Sequence, residues 1–184
     1  GSRLTHDQTR YIFETNTIGV TDKAVNVDDI IETANHFRAI DYIIKETDGK
    51  LTETYIKQLH LILKSGTSDE RKDWFRVGNY KKLPNEVGGN DTTTPENVHK
   101  EMKALLKEYN NKKNPTFEDI LDFHQRFETI HPFQDGNGRV GRLIMFRECL
   151  RNNYVPFIIT DDLKIFYYNG LRNWPHIKGY LTDT

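Results

Sequence analysis

The amino-acid sequence predicts a mainly α-helical domain with one small β-hairpin. Three observations carry that expectation. Apolar residues recur near helical spacing along most of the 184 residues. One stretch, residues 65–93, departs from that period and collects Gly78, Pro84, Gly88 and Gly89 around Trp74, Phe75, Val77 and Tyr80. The strand–helix–strand alternation that builds parallel sheets is absent. A chain of this length buries one core comfortably and two poorly, so residues 1–184 are expected to form a single domain.

Residues 27–47 read as a long helix with an apolar stripe of Ile30, Ile31, Ala34, Phe37, Ile40 and Ile44. Asp48-Gly49 stops it, and residues 52–63 form a second helix with Tyr55, Ile56, Leu59 and Leu63 on one side. Within 65–93 the sequence predicts two short strands about a Leu83-Pro84-Asn85 turn, with Trp74 and Phe75 in the core. Pro95 suits the first turn of the next helix, whose inner face carries Val98, Met102, Leu105, Leu106 and Tyr109. Asn114-Pro115 breaks it. Thr116 with Asp119 three residues on is a capping pair for a helix striped by Ile120, Phe123, Phe127 and Ile130. His131-Pro132 closes that helix, because a residue before proline is driven out of helical backbone. Two further helices are expected at 137–151 and 163–173, with a strand-like run at 155–159 between them.

Composition bounds the partners. The chain is 36% hydrophobic and 29% charged, with a formal net charge of -1. That balance disfavours a nucleic-acid partner, which demands a basic surface. Cys149 is the only cysteine, so no internal disulfide forms. No apolar run approaches the roughly 18 residues of a membrane span, and no charged-then-apolar leader is visible. A cytoplasmic location without membrane attachment is the expectation.

The stretch that carries chemistry is His131-Pro132-Phe133-Gln134-Asp135-Gly136-Asn137-Gly138-Arg139-Val140-Gly141-Arg142. It reads as a short loop feeding a helix N-terminus. Gly136 and Gly138 allow a tight turn and close backbone approach. The first N–H groups of the helix lack intrahelical partners and, with the helix dipole, favour anions. Arg139 and Arg142 lie three residues apart and can clamp phosphate oxygens from one side. Asp135 is a hard oxygen ligand suited to Mg²⁺, and is also placed to cap the helix. His131, with an ordinary pKa of about 6.5, can accept a proton at neutral pH. A base, a metal carboxylate, an anion cradle and two arginines together describe a nucleotide-transfer site.

These residues resemble the signature of the Fic family, H-x-F-x-[DE]-G-N-G-R-x-x-R. His131, Phe133, Asp135, Gly136, Asn137, Gly138, Arg139 and Arg142 match every fixed position. His124, Phe127 and Glu128 upstream, Trp74-Phe75-Arg76 before the hairpin, and the segment from Tyr167 to Leu171 resemble the family more weakly. The resemblance implies a Fic-type helical domain with a hairpin flap at about 78–89, and a protein adenylyltransferase. ATP would be the substrate and Mg²⁺ the metal, with AMP passing to a Tyr, Thr or Ser hydroxyl of a target protein. His131 would be the general base and Asp135 the Mg²⁺ ligand. Gly136, Asn137, Gly138 and Arg139 would bind phosphate oxygens, and Arg142 would reach the γ-phosphate. Phe133 would anchor the loop. The flap residues Tyr80, Lys81, Lys82, Leu83, Glu86 and Val87 would hold the target as an added strand through main-chain hydrogen bonds. Tyr168 and Asn169 would lie on the adenine side. Self-AMPylation is left open.

The same stretch holds a decoy. Gly136 to Gly141 fits G-x-G-x-x-G, and Asp161 follows Gly141 by 20 residues. A dinucleotide-binding turn follows a buried strand, whereas Glu128-Thr129-Ile130-His131-Pro132 is a helix end, and Pro156 suits a central strand badly. The other histidines show no metal-ligand spacing and are read as structural, His124 as a packed one.

Many proteins of this family carry an inhibitory helix, [ST]-x-x-x-E-[GN], whose glutamate engages the second motif arginine. Glu14 does not fit that pattern. The family often continues from the glutamate into G-[NS]-x-L-T, and this chain opens Gly1-Ser2-Arg3-Leu4-Thr5. The expectation is that it starts just after such a glutamate, leaving Arg142 without an acidic partner. Competing readings are another nucleotide or phosphate transfer on the same scaffold, removal of AMP, and, outside enzymes, a silent binding module. The intact His131, Asp135 and Gly136-Asn137-Gly138 favour AMP transfer.

Overall fold

The computed structural model describes residues 3–19, 24–174 and 176–183. Gly1 and Ser2, on which the upstream reading rests, lie outside them. The first helix, α1 (His6–Thr15), is opened by a reciprocal cap between Thr5 and Gln8 and closed by Asn16 in left-handed backbone. It buries little beyond Gln8 and Ile12, which is why apolar spacing does not reveal it. It rests Phe13 on Phe37 of α2 (Val27–Lys45), ring centroids 4.7 Å apart.

Asn26 caps α2, and Thr52 caps α3 (Glu53–Lys64). A 3₁₀ turn at Ser68–Arg71 follows. Then come the hairpin strands β1 (Glu86–Val87) and β2 (Asn90–Asp91), paired antiparallel with Val87 opposite Asn90. Pro95 opens α4 (Pro95–Asn110). The expected Thr116–Asp119 reciprocal cap opens α5 (Phe117–Ile130). The chain continues through α6 (Asn137–Arg151), a 3₁₀ turn at Asp161–Leu163, α7 (Lys164–Asn173) and α8 (Gly179–Thr182).

The core is helical and continuous, running from Ala39 and Ile43 through Leu59, Phe127 and Ile144 to Leu181. α6 lies at its centre and is buried nearly all round, so its residues show little amphipathic period. It packs on α2, α3 and α5. Its far end holds a buried ion pair, Arg147 with Glu148. Arg147 Nη2 also donates to the Gly49 carbonyl at 3.0 Å, and Tyr109 Oη donates to Glu148 at 2.9 Å. These contacts fix α6 to the α2–α3 turn and to α4. Among the described residues, no helix is long and apolar enough to cross a membrane.

Four expectations are corrected. The hairpin turns at Gly88-Gly89, both at positive φ, and not at Leu83-Pro84-Asn85. Two glycines satisfy the left-handed two-residue turn that antiparallel twist prefers. Trp74 is exposed at 45% while Phe75 is buried. The inner face of α2 is Glu32, Thr33, Asn35, Ala39 and Ile43, and Ile44 points outward. Residues 155–159 form no strand, and Val155 and Ile158 are exposed. With no parallel sheet among the described residues, the dinucleotide-binding decoy has no structural support.

Candidate active site

The 131–142 loop is built by local closure. His131 ends α5 in left-handed backbone (φ 51, ψ 60), its N–H bonded to the Phe127 carbonyl at 2.9 Å. Pro132 then turns the chain away. Asn137 closes the loop with two bonds of 2.7 Å, accepting from the Phe133 N–H and donating to the Phe133 carbonyl. The Phe133 ring is wholly buried and stacks on His60, centroids 4.0 Å apart. Gly136 at φ +82 is the N-cap of α6, so Asp135 is not the capping residue. Asn137 is 1% exposed and its side-chain amide is bound to the loop, so its main-chain N–H is the group it can offer an anion.

His131 carries a neutral imidazole with a defined tautomer. Its Nδ1 lies 3.2 Å from the Glu128 carbonyl, which only accepts, so Nδ1 carries the proton and Nε2 the lone pair. Burial lowers its pKa, the nearby Lys81 charge acts in the same direction, and the neutral form dominates at neutral pH. His60 is a neutral bridge. Its Nδ1 accepts from the Gly78 N–H at 2.9 Å, which leaves Nε2 to donate to the Asp135 carbonyl at 3.2 Å. Burial holds its pKa at about 4.

Around Asp135 the structure places a charge network drawn from four elements. Lys64 of α3 is 2% exposed, and its ammonium contacts Glu32 of α2, Asp69 of the 3₁₀ turn and Asp135 Oδ2 at 2.8 Å. Arg139 contacts Glu32 and, at 3.2 Å, the same Asp135 oxygen. Burial alone would raise the Asp135 pKa, but Lys64 outweighs it and the carboxyl stays below its ordinary range. An ionised carboxylate, 56% exposed and beside a helix N-terminus, fits a Mg²⁺ that takes its other ligands from phosphate and water. The oxygens of Glu32, Asp69 and Asp135 lie within 4.8 Å of one another, yet Lys64 sits among them, so that trio is an ammonium site. Arg139 is therefore less available to phosphate than its place in the motif suggests.

Arg142 differs. Among the described residues it makes no ion pair within 4 Å. Its guanidinium folds over Gly138, where an added Cβ would stand 3.2 Å from Nη1. Its charge is felt at His36 of α2, at His124 and Glu128 of α5, and at Tyr167 of α7. His124 is a packed histidine as expected, its Nε2 2.6 Å from Tyr167 Oη, and burial lowers its pKa to about 3. Burial raises Glu128 to about 7 against the pull of Arg142.

The flap base is fastened to the loop. The Lys81 N–H donates to the Pro132 carbonyl at 2.9 Å, and Asn85 Nδ2 donates to the Phe133 carbonyl at 2.9 Å. Lys81 is 4% exposed, its amine donating to Asn85 and Thr92 at 2.6 Å each, and burial lowers its pKa to about 8. The Tyr80 ring packs 5.6 Å from that of Phe133. Tyr80 and Lys81 are thus internal anchors, while Lys82, Leu83, Glu86 and Val87 are exposed. Tyr168 is 55% exposed and Asn169 is exposed, whereas Tyr167 is buried. Sequence reasoning missed Glu32, Lys64, Asp69 and the bridging role of His60. The available signal was a glutamate, a lysine and a histidine at positions that face inward by helical phase.

The Fic/DOC family profile matches residues 50–149. The chain is 28% identical over 181 residues to the protein adenylyltransferase Fic of Drosophila grimshawi, covering 94% of this chain and 35% of that protein. It is 26% identical over 180 residues to the Drosophila melanogaster protein of the same name, with 94% and 34% covered. It therefore spans about a third of the length of these curated relatives. A Fic-domain signalling protein from Bacteroides thetaiotaomicron has a similar structure, with a TM-score of 0.83 and 26% identity over 100% of this chain and 72% of that one. BepC from Bartonella tribocorum, solved with bound AMPPNP, shares the fold at a TM-score of 0.60 and 15% identity, covering 97% of this chain and 95% of that one.

Proposed function

Because this chain belongs to the Fic/DOC family, we propose that it is a protein adenylyltransferase that moves AMP from ATP to a hydroxyl side chain of a target protein. The observation that carries this reading is the His131 tautomer, fixed by the Glu128 carbonyl at 3.2 Å, one short loop ahead of the α6 N-terminus. The phosphates of ATP lie over the first turn of α6, where unpaired N–H groups favour anions. Arg142 receives the γ-phosphate end. Asp135 is the residue that would hold Mg²⁺, which when bound offsets phosphate charge.

The target hydroxyl loses its proton to His131 Nε2 as its oxygen bonds to the α-phosphorus. The bond from that phosphorus to the bridging oxygen breaks, and pyrophosphate departs. The half-buried imidazole, with its pKa below the ordinary value, is already neutral and ready to accept. The flap, tied to Pro132 and Phe133, brings the target main chain beside His131. The curated relatives named above carry adenylyltransferase in their names, which supports AMP as the transferred group.

The test is a transfer assay with ATP labelled at the α-phosphate, Mg²⁺, the chain itself and a cell lysate. Protein labelling is expected from α-label and not from γ-label, and is lost in His131→Ala. Labelling from the γ-phosphate would refute AMP transfer. Undiminished labelling by His131→Ala would refute the base assignment.

A further inference from the structure

We infer that the side-chain amide of Gln134 stands in for target main chain at Leu83, and so gates the acceptor site. The inference rests on the reading above that a target strand docks at the flap. Gln134 Oε1 accepts from the Leu83 N–H at 3.2 Å, and Gln134 Nε2 donates to the Leu83 carbonyl at 3.4 Å. One residue thus gives and receives a hydrogen bond with a single partner, the exchange made by a hydrogen-bonded pair in an antiparallel ladder. A carboxamide carries the same N–H and C=O as a peptide unit, so Gln134 offers Leu83 what a docked strand would offer.

The position matters as much as the pattern. The Lys81 N–H is bound to the Pro132 carbonyl, next to His131. The Val87 main chain is paired with Asn90 of β2, while Glu86, opposite Asp91 in the alternate pair, turns its N–H and C=O to the outer edge of the hairpin. Asn85 is held by its side chain to the Phe133 carbonyl, and its own carbonyl accepts from Thr92. Leu83 presents a flap main-chain pair that faces the loop and is covered by a loop side chain, not by loop or flap backbone. A strand paired there lies beside His131. Gln134 itself follows Phe133, which is buried and immovable, but its own side chain is only half buried and can swing outward. The two contacts are solvent-exposed and long, so they are weak enough to exchange. Leu83 at 46% exposure is reachable once they open. A site covered in most molecules binds its ligand with an affinity reduced by the uncovered fraction.

The experiment measures binding without nucleotide. A short fluorescein-labelled peptide of alternating valine and threonine is titrated into the wild-type chain, Gln134→Ala and Gln134→Glu, read by fluorescence anisotropy. Gln134→Ala is expected to bind about tenfold more tightly than wild type. Gln134→Glu keeps the acceptor and loses the donor, so an intermediate gain is expected. In the free alanine variant the Leu83 amide exchanges faster with deuterium than in wild type, and peptide restores its protection. Equal or weaker binding by Gln134→Ala would show that the amide supports the flap and would overturn the gate. Failure of the peptide to bind either protein would overturn it too, since an uncovered main-chain pair accepts an extended strand of any sequence. Tightened binding in a chain that transfers no AMP would sink the enzymatic reading and leave the gate standing.

Discussion

Gly141 offers a sharp test of how the second arginine is held. It lies inside α6, where alanine ordinarily stabilises a helix by about 1 kcal/mol over glycine. Here a Cβ would stand 2.4 Å from Glu128 Oε1, 3.0 Å from His124 Cε1 and 3.1 Å from His124 Nδ1. His124 yields less easily than Glu128, whose oxygen ends a flexible side chain and must turn away first. His124 is 1% exposed and tied to Tyr167 at 2.6 Å, and the Glu128 oxygen is buried without a hydrogen-bond partner among the described residues. Overpacking of this kind costs about 1–3 kcal/mol, and the Glu128 contact is closer than a Cβ makes unless something shifts. Gly141→Ala is therefore expected to destabilise the fold by up to about 2 kcal/mol net. For a chain of this size that lowers Tm by up to about 8 °C. Thermal melts of the single variant, Glu128→Ala and the double variant separate the terms. Removing the carboxyl leaves only the two His124 contacts, so alanine at 141 becomes close to neutral in that background, a coupling of about 1 kcal/mol or more. A Gly141→Ala protein that melts above wild type, or an equal effect in both backgrounds, would refute the steric account.

Two further outcomes follow from the titrating groups. Burial raises the Glu128 pKa from 4.5 to about 7. A group whose folded pKa lies above its unfolded value contributes stability that is complete below the unfolded pKa and lost as pH rises through the folded one. Wild type should therefore lose stability relative to Glu128→Gln between pH 5 and pH 8, read from paired melts, and a difference that does not change with pH would contradict this. Lys81→Met removes a positive charge that, after burial, depresses the His131 pKa. The His131 imidazole, followed by NMR, should titrate at higher pH in the variant. The shift should be undiminished, because His131 titrates below pH 6.5, where Lys81, with its pKa held at about 8, is still charged. An unmoved or lowered titration would place Lys81 too far from His131 to matter.

The loop was legible because its parts are close in sequence. His131, Asp135, Gly136 and Arg142 fall within one short stretch, and the Thr116–Asp119 cap and the proline after His131 mark the helix that delivers it. What sequence pattern hid is what reaches the loop from far away. Glu32 and Lys64 stand 107 and 71 residues from Arg139 and Asp135 respectively. Glu32 lies on a helix whose isoleucines fall on several sides, and only Ile43 among them is fully buried, so the stripe through Ile30, Ile31 and Ile44 gave the wrong face. The packed face follows the polar contacts: Asn35 donates to the Ser65 carbonyl at 2.7 Å, and Glu32 turns with it toward Lys64 and Arg139. The motif marks Asn137 without saying what its side chain does: a buried amide must satisfy its own groups, and Phe133 supplies both partners. The Gly88-Gly89 turn was readable. Paired glycines are the stronger hairpin signal, and the proline at 84 drew the turn to the wrong place.

The same network decides where an anion gains most. Lys64 is surrounded by three carboxylates and Arg139 is held by two, so neither cation faces the loop uncompensated. The α6 N-terminus and Arg142 remain, and Gly138 brings them together, because any side chain there would meet the guanidinium. Arg142 keeps its charge available only while Glu128 does not neutralise it. Burial supplies that condition by holding Glu128 protonated up to about pH 7. Glycine at 141 and glutamate at 128 thus form one device. The missing Cβ makes room for the carboxyl, and burial keeps that carboxyl largely uncharged below about pH 7, so that Arg142 beside it meets no full negative charge there.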